Sequence, residues 1–209
     1  MNGITEALER WLRAGGREIG EVHIQSVDSG WELRHRLDEP RANLIAHTGA
    51  EAARVLAQYT DAGEFRPLKT APNLRRGWLL TIPDLGELRR ALDYFYPAML
   101  GVGVSYTLGT LVPVALRTTL ARQTGMYRVT QKITDAQAQQ MVGDFCRSDG
   151  GCLKHILWPL APGEPISTLP AEKFSPEAAP ATWPLLCHEA CNLLVAKARE
   201  VVKKADLPS

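Results

Sequence analysis

All four cysteines of this chain lie between Cys146 and Cys191, in two pairs of different spacing. Cys146 and Cys152 form a C-x5-C, and Cys187 and Cys191 a C-x3-C. Everything before Cys146 is free of cysteine. A chain of 209 residues, 45% of them apolar, buries an ample core without cross-links, so disulfide staples are not needed to hold it. Clustered cysteines in such a chain read as metal ligands or redox groups. Three readings stay open. Four thiolates on one iron–sulfur cluster lead, a Zn(Cys)4 site follows, and buried thiols without metal come third. Zinc knuckles accept C-x3-C but fit C-x5-C less well. Neither pair has the spacing of a bacterial ferredoxin.

The two pairs carry different local expectations. Pro184 suits the first turn of a last helix running to about Lys204, capped by Thr182 or Trp183. Cys187 then falls in that first turn, where unpaired N–H groups and the helix dipole favour a thiolate and an anionic cluster. Cys191 stands on the same face, about 6 Å further along the axis. In the first pair, Ser148 to Gly151 is a flexible turn whose amides can approach a ligand closely. Phe145, Leu153, Ile156, Leu157 and Trp158 supply an apolar surround.

Upstream, helical spacing over Ile4–Leu12 is ended by Gly15 and Gly16. Alternation over Glu18–Val27, a turn at Asp28–Gly30 and renewed alternation from Trp31 predict a β-hairpin. Thr48 with Glu51 reads as a capping box opening a helix packed through Ala52, Ala53, Val55, Leu56 and Tyr59. Gly77–Ile82 is an interior strand, followed by a helix from Asp84 to Tyr96 that Pro97 ends. The glycines over 101–109 read as a loop, and their spacing is no dinucleotide fingerprint. Thr110–Gln123 reads as helix, Met126–Thr130 as an extended link and Leu153–Trp158 as a further helical turn. Thr134 with Gln137 caps a helix that delivers Cys146 at its end. Five prolines over 161–182 mark a loop. The class is α+β: an accessory α+β domain over 1–104 with a small antiparallel sheet, then a mostly helical domain over 105–209.

A net charge of +1 gives no general argument for nucleic acid. No leader segment and no apolar run long enough for a bilayer is evident, so the expectation is a soluble, cytoplasmic chain without membrane contact. No Ser/His/Asp, Walker or paired-carboxylate arrangement stands out.

Several runs resemble a known family. These are Arg122-Gln-Thr-Gly-Met-Tyr-Arg128, Phe145-Cys146, Cys152-Leu-Lys-His-Ile-Leu-Trp-Pro159 and Cys187-His-Glu-Ala-Cys191. Together they resemble the iron–sulfur domain fused to some CbiX-type proteins, relatives of the sirohydrochlorin cobaltochelatases. Asp61–Lys69, Gly77-Trp78 and Leu92–Pro97 resemble the stabilising domain that precedes it there. The resemblance covers most of the chain and implies a [4Fe–4S] cluster on Cys146, Cys152, Cys187 and Cys191. It implies electron transfer or redox sensing linked to tetrapyrrole or cobalt-chelatase metabolism, with a separately encoded chelatase or redox protein as partner. The alternative is a non-redox interaction module with a structural Zn2+ or cluster site. The repeated βαβ pattern of a chelatase is not seen in these residues, so chelatase activity is not expected of them.

Among the remaining residues, Arg117, Arg122, Arg128, Arg147 and Lys154 place positive charge near the cysteines, where it would raise a cluster's potential or meet an acidic partner. The plainer reading is solvated surface. His155 and His188 neighbour cysteines and read as surroundings rather than ligands; His23, His35 and His47 read as structural, and Trp31, Trp78 and Trp158 as core.

Overall fold

The computed structural model describes residues 3–38, 43–59, 74–146, 152–164 and 181–205. It divides into two units, Met1–Thr110 with Phe174–Leu185, and Leu111–Lys173 with Leu186–Ser209. The elements in chain order are α1 (Gly3–Arg13), β1 (Glu18–Ile19), β2 (Val22–Val27), β3 (Gly30–His35), β4 (Ile45–Thr48), α2 (Ala50–Leu56), β5 (Trp78–Ile82), α3 (Leu85–Phe95), α4 (Met99–Thr107), α5 (Leu116–Ala121), a 3-10 stretch (Gly125–Lys132), α6 (Asp135–Cys146), β6 (His155–Ile156), β7 (Thr182–Trp183), β8 (Leu186–Cys187) and α7 (Asn192–Ala205). The α+β class holds.

In the first unit a six-stranded sheet has the order β4-β5-β3-β2-β1-β7. Its centre is antiparallel, as the hairpin signal predicts, while the outer pairs β4–β5 and β1–β7 are parallel. The hairpin closes on Asp28 and Ser29, with Val27 opposite Gly30. Gly30 is obligatory there: its φ is 130° and a Cβ would lie 2.2 Å from the Ile82 carbonyl oxygen. The expected Glu18–Val27 strand is broken at Gly20 (φ 57°), where β1 folds back onto β2. The Tyr96 ring occupies the space a side chain at Gly20 would need, and its hydroxyl accepts the Glu21 N–H at 2.7 Å. Ile19, Val22, Ile24, Leu33, Leu80 and Ile82 form the buried sheet face. Trp78 stacks on Phe95 at 5.1 Å, and Trp11 meets Trp183 edge-on at 5.5 Å. Asp84 caps α3 by accepting the Glu87 N–H at 2.9 Å.

Three expectations in this unit change. Thr48 does not cap α2. Its backbone is the last β4 residue, paired with Thr81, so the cap falls to Gly49, and the Ala50 N–H is met by the Glu87 carboxylate at 3.1 Å. Val55 and Tyr59 are exposed; Ala50, Ala53 and Leu56 face inward. The glycine-rich stretch is not a loop but helix α4. Gly103 lets that helix approach the Trp183 indole, 2.5 Å from where a Cβ would stand. His35 is structural as expected: buried, accepting the Leu37 N–H on Nδ1, with Nε2 3.7 Å from Glu21. The Asp61–Lys69 run lies outside the described residues.

The second unit packs α5, the 3-10 stretch, α6 and α7 around Leu116, Leu120, Ile133, Met141, Val142, Trp158, Leu194 and Ala198. The Thr134–Gln137 box forms reciprocally, with N–H donors bonded at 3.0 and 3.2 Å. Helix α5 is shorter than expected. Pro113 interrupts the pattern, and the N–H groups of Val114, Leu116 and Arg117 go to His188, Pro159 and Leu160 carbonyls instead. The expected extended link over Met126–Thr130 is 3-10 helix, with Thr130 buried and its hydroxyl bonded to the Tyr127 carbonyl at 2.8 Å. Arg199 of α7 lies over the Tyr127 ring at 5.3 Å. Among the described residues no helix is long and apolar enough to cross a membrane.

Two helical glycines separate packing from propensity. Gly103→Ala in α4 forces the indole aside and is expected to lower stability by about 1–2 kcal/mol net of the propensity gain. Gly143→Ala in α6, where a Cβ meets nothing within 4 Å, is expected to raise stability by about 0.5–1 kcal/mol. Urea denaturation of the two variants checks both signs.

Candidate metal centre

Each cysteine is delivered by a different backbone device. Capped by Thr134, α6 buries Ala138, Met141 and Val142 and ends at Cys146, which packs partly buried on the second unit's core beside Phe145. Arg147 and the Ser148–Gly151 turn lie outside the described residues. Cys152 follows, partly buried.

The stretch after Cys152 is not helical. His155 and Ile156 form β6, which pairs in parallel with β8, setting Ile156 opposite Cys187. The Leu157 N–H extends the pairing, donating to the Cys187 carbonyl at 2.8 Å. A run of six residues is too short to hold a helix by itself, and a partner strand claims its backbone first.

Cys187 is likewise not on a helix. Thr182–Trp183 is strand β7 and Leu186–Cys187 is β8, so α7 begins eight residues beyond Pro184, at Asn192. Cys191 stands at that helix start, its carbonyl accepting the Val195 N–H at 3.1 Å. The electropositive position expected for Cys187 therefore belongs to Cys191, and the two do not share a helix face.

The sulfur environment is built by neighbours from both segments. The Trp158 Nε1–H donates to Cys187 Sγ at 3.3 Å, and the Cys187 thiol donates to the Glu189 carbonyl at 3.1 Å. Burial pushes the Cys187 thiol above its usual range, Cys191 adding to this, while the Trp158 N–H and Lys154 oppose it. Burial also raises Cys152, helped by Cys187 and Cys191, with the Lys154 amide and ammonium opposing. Cys152, Cys187 and Cys191 are therefore within electrostatic reach of one another. Among the described residues no three Cys, His, Asp or Glu side chains stand close enough together to hold a metal ion.

Among the described basic residues expected near the cysteines, Lys154 alone acts on the thiols, on both Cys152 and Cys187. Arg117 ties α5 to the start of α6 through Asp135 and the Ile133 carbonyl. Arg122 and Arg128 are exposed. His155 and His188 are partly buried and join no metal-binding group. Sequence reasoning placed Trp158 in the core, which is right, but missed its hydrogen bond to a cysteine 29 residues away. No local signal could have announced that pairing.

The donor set suits a soft cation or cluster. All four cysteines are half-buried thiols rather than disulfides, and Cys146, Cys187 and Cys191 pack against the apolar core. Thiolates in such surroundings are unfavourable without compensating positive charge, and a metal supplies it.

Comparison with known proteins agrees with this chemistry. Residues 4–105 match the family described as the DR2241 stabilising domain, and residues 108–200 match the 4Fe-4S iron-sulfur cluster binding domain. The chain is similar to DR2241 from Deinococcus radiodurans, described as a multi-domain protein with structural similarity to chelatases and two additional novel domains. The two share 29% identity with a TM-score of 0.82, over 97% of this chain and 41% of that one. This chain thus spans about two fifths of that relative's length. No curated protein matches.

In the metal-free protein the raised thiol pKa has a direct consequence. At a given pH Cys152 and Cys187 carry less thiolate than an ordinary cysteine, so reaction with iodoacetamide at pH 8 should be slower than in denaturant. The rate should climb as pH rises through and beyond 9.0, the unshifted value. Mass-spectrometric mapping of the labelled sites reads the difference; equal rates in folded and denatured protein would contradict it.

Proposed function

We propose that this chain, whose residues 4–105 match the DR2241 stabilising domain and 108–200 the 4Fe-4S iron-sulfur cluster binding domain, is a one-electron iron–sulfur protein. Cys146, Cys152, Cys187 and Cys191 hold a single [4Fe–4S] cluster. The observation that carries this reading is that the free thiols of Cys146, Cys187 and Cys191 pack partly buried on one apolar core, with Cys187 and Cys191 near enough to help raise the Cys152 thiol. When bound, the cluster supplies a one-electron couple. This chain's own residues do the rest. Trp158, Ile156 and Leu194 exclude water from the cysteine side of the core. The β6–β8 pairing holds the Cys187 backbone, and the α7 N-terminus presents Cys191 where negative charge is favoured. Lys154 offsets part of the charge on the thiolates.

Gathering four ligands requires the cysteine-bearing segments to close on the cluster, and cluster binding is in this reading coupled to completing the second unit's fold. The protein's redox role is linked to tetrapyrrole or cobalt-chelatase metabolism, and it works with a chelatase-type or redox partner in the cytoplasm. The chelatase-like description of the Deinococcus relative supports that link.

Protein purified without oxygen should be brown and contain iron and sulfide in equal amounts, about four of each per chain. Cys187→Ala and Cys191→Ala should each lose most of the colour and iron. A colourless wild type with one zinc per chain would sink the cluster, and full colour in either variant would sink that residue as a ligand.

A further inference from the structure

We propose that Trp158 sets the reduction potential of the centre, through an indole N–H that donates to Cys187 Sγ and stabilises the reduced state. The inference rests on the cluster reading above, and names a residue that acts through a ligand rather than as one.

The geometry is built for a permanent donor. Trp158 is fully buried, with its Nε1 3.3 Å from the sulfur. Its backbone neighbours are pinned on both sides: the Leu157 N–H bonds to the Cys187 carbonyl, and the Pro159 carbonyl accepts the Leu116 N–H. The strand pairing of Ile156 with Cys187 keeps donor and acceptor in register. The indole is therefore fixed relative to the sulfur by the same ladder that positions the cysteine.

Of the bonds at this sulfur, the one to the Glu189 carbonyl and the one from the indole respond oppositely to loss of the thiol proton. The bond to the Glu189 carbonyl needs the S–H and disappears when the sulfur becomes a ligand. The indole bond uses the sulfur as acceptor and strengthens as negative charge accumulates there. Adding one electron to a cluster ligated by four thiolates increases charge on its sulfurs. A buried N–H aimed at one of them favours the reduced form. The electron comes from a low-potential one-electron donor, dithionite in the test; the indole proton is shared, not transferred, so the step moves an electron alone. Lys154 acts on the same sulfur through space, but its side chain is only half-buried, and solvent screens it.

Trp158→Phe keeps an aromatic ring in the core and deletes the N–H. In the cluster-loaded protein, dithionite titration followed by electron paramagnetic resonance should show the reduced-to-oxidised ratio at fixed potential falling about tenfold, equivalent to about 59 mV for one electron. Iron and sulfide contents should stay at the wild-type level. Equal potentials in two fully loaded proteins would overturn the role of Trp158 while leaving the cluster intact. A wild type that takes up no iron would overturn the cluster reading and this inference with it. A second arm needs neither cluster nor stable Trp158→Phe protein. In metal-free, nitrogen-15-labelled protein, Cys187→Ala removes the acceptor, so the Trp158 indole N–H resonance should move and its hydrogen exchange quicken. An unchanged indole signal would overturn the hydrogen bond itself.

Discussion

The parallel pairing of β6 with β8 is the interaction on which the cysteine-bearing half depends. It spans two residues on each strand, yet it joins the segment after Cys152 to the segment before Cys191. It adds a direct backbone link to the core packing that already holds Cys146, Cys187 and Cys191. The ladder also explains two features with no local cause. The 153–158 stretch is extended rather than helical, and an indole lies against a thiol 29 residues away. Two-residue strands are weak by themselves, so the pairing is sustained by the second unit's core, in which Ile156 and Trp158 are buried.

A tension runs through the site. The residues that make it a good home for a cluster make it a poor home for bare thiolates. Burial raises Cys152 and Cys187, Cys191 raises both further, and Cys187 adds to the rise at Cys152. The opposing contributions come from one indole N–H, the backbone at Lys154 and at Glu189, and one lysine side chain. Such a set is stable as thiols and receptive to a cation, which is how metal binding becomes linked to the closing of a fold. The same opposing groups then tune what is bound.

Much of the architecture was legible in local pattern. The hairpin with its Asp28-Ser29-Gly30 turn, the Trp78–Ile82 strand, the Asp84 cap and the Thr134–Gln137 box are where the spacing predicts them. Each is decided within a few residues by alternation or by a side chain reaching its own backbone. The misreadings share a cause. Thr48 looks like a cap but is consumed by strand pairing; Gly101 and Gly103 look like a loop but are helix interior, Gly103 packed against the Trp183 ring; Pro184 looks like a helix start but sits between two strands. In every case a distant partner outbid the local preference, and a single sequence carries no mark of the partner.

The sequence by itself determined the chemistry: four cysteines in two pairs, a mixed α+β class, helix α6 ending on Cys146, and the identity of a basic residue, Lys154, that acts on the thiols. Those follow from residue type and short-range periodicity, which need no knowledge of the fold. The tertiary structure decided the arrangement: that Cys187 lies on a strand and Cys191 at the helix start, and that Trp158 donates to sulfur. Strand pairing and burial join residues tens of positions apart, and their free energy belongs to the assembled core rather than to any stretch of chain.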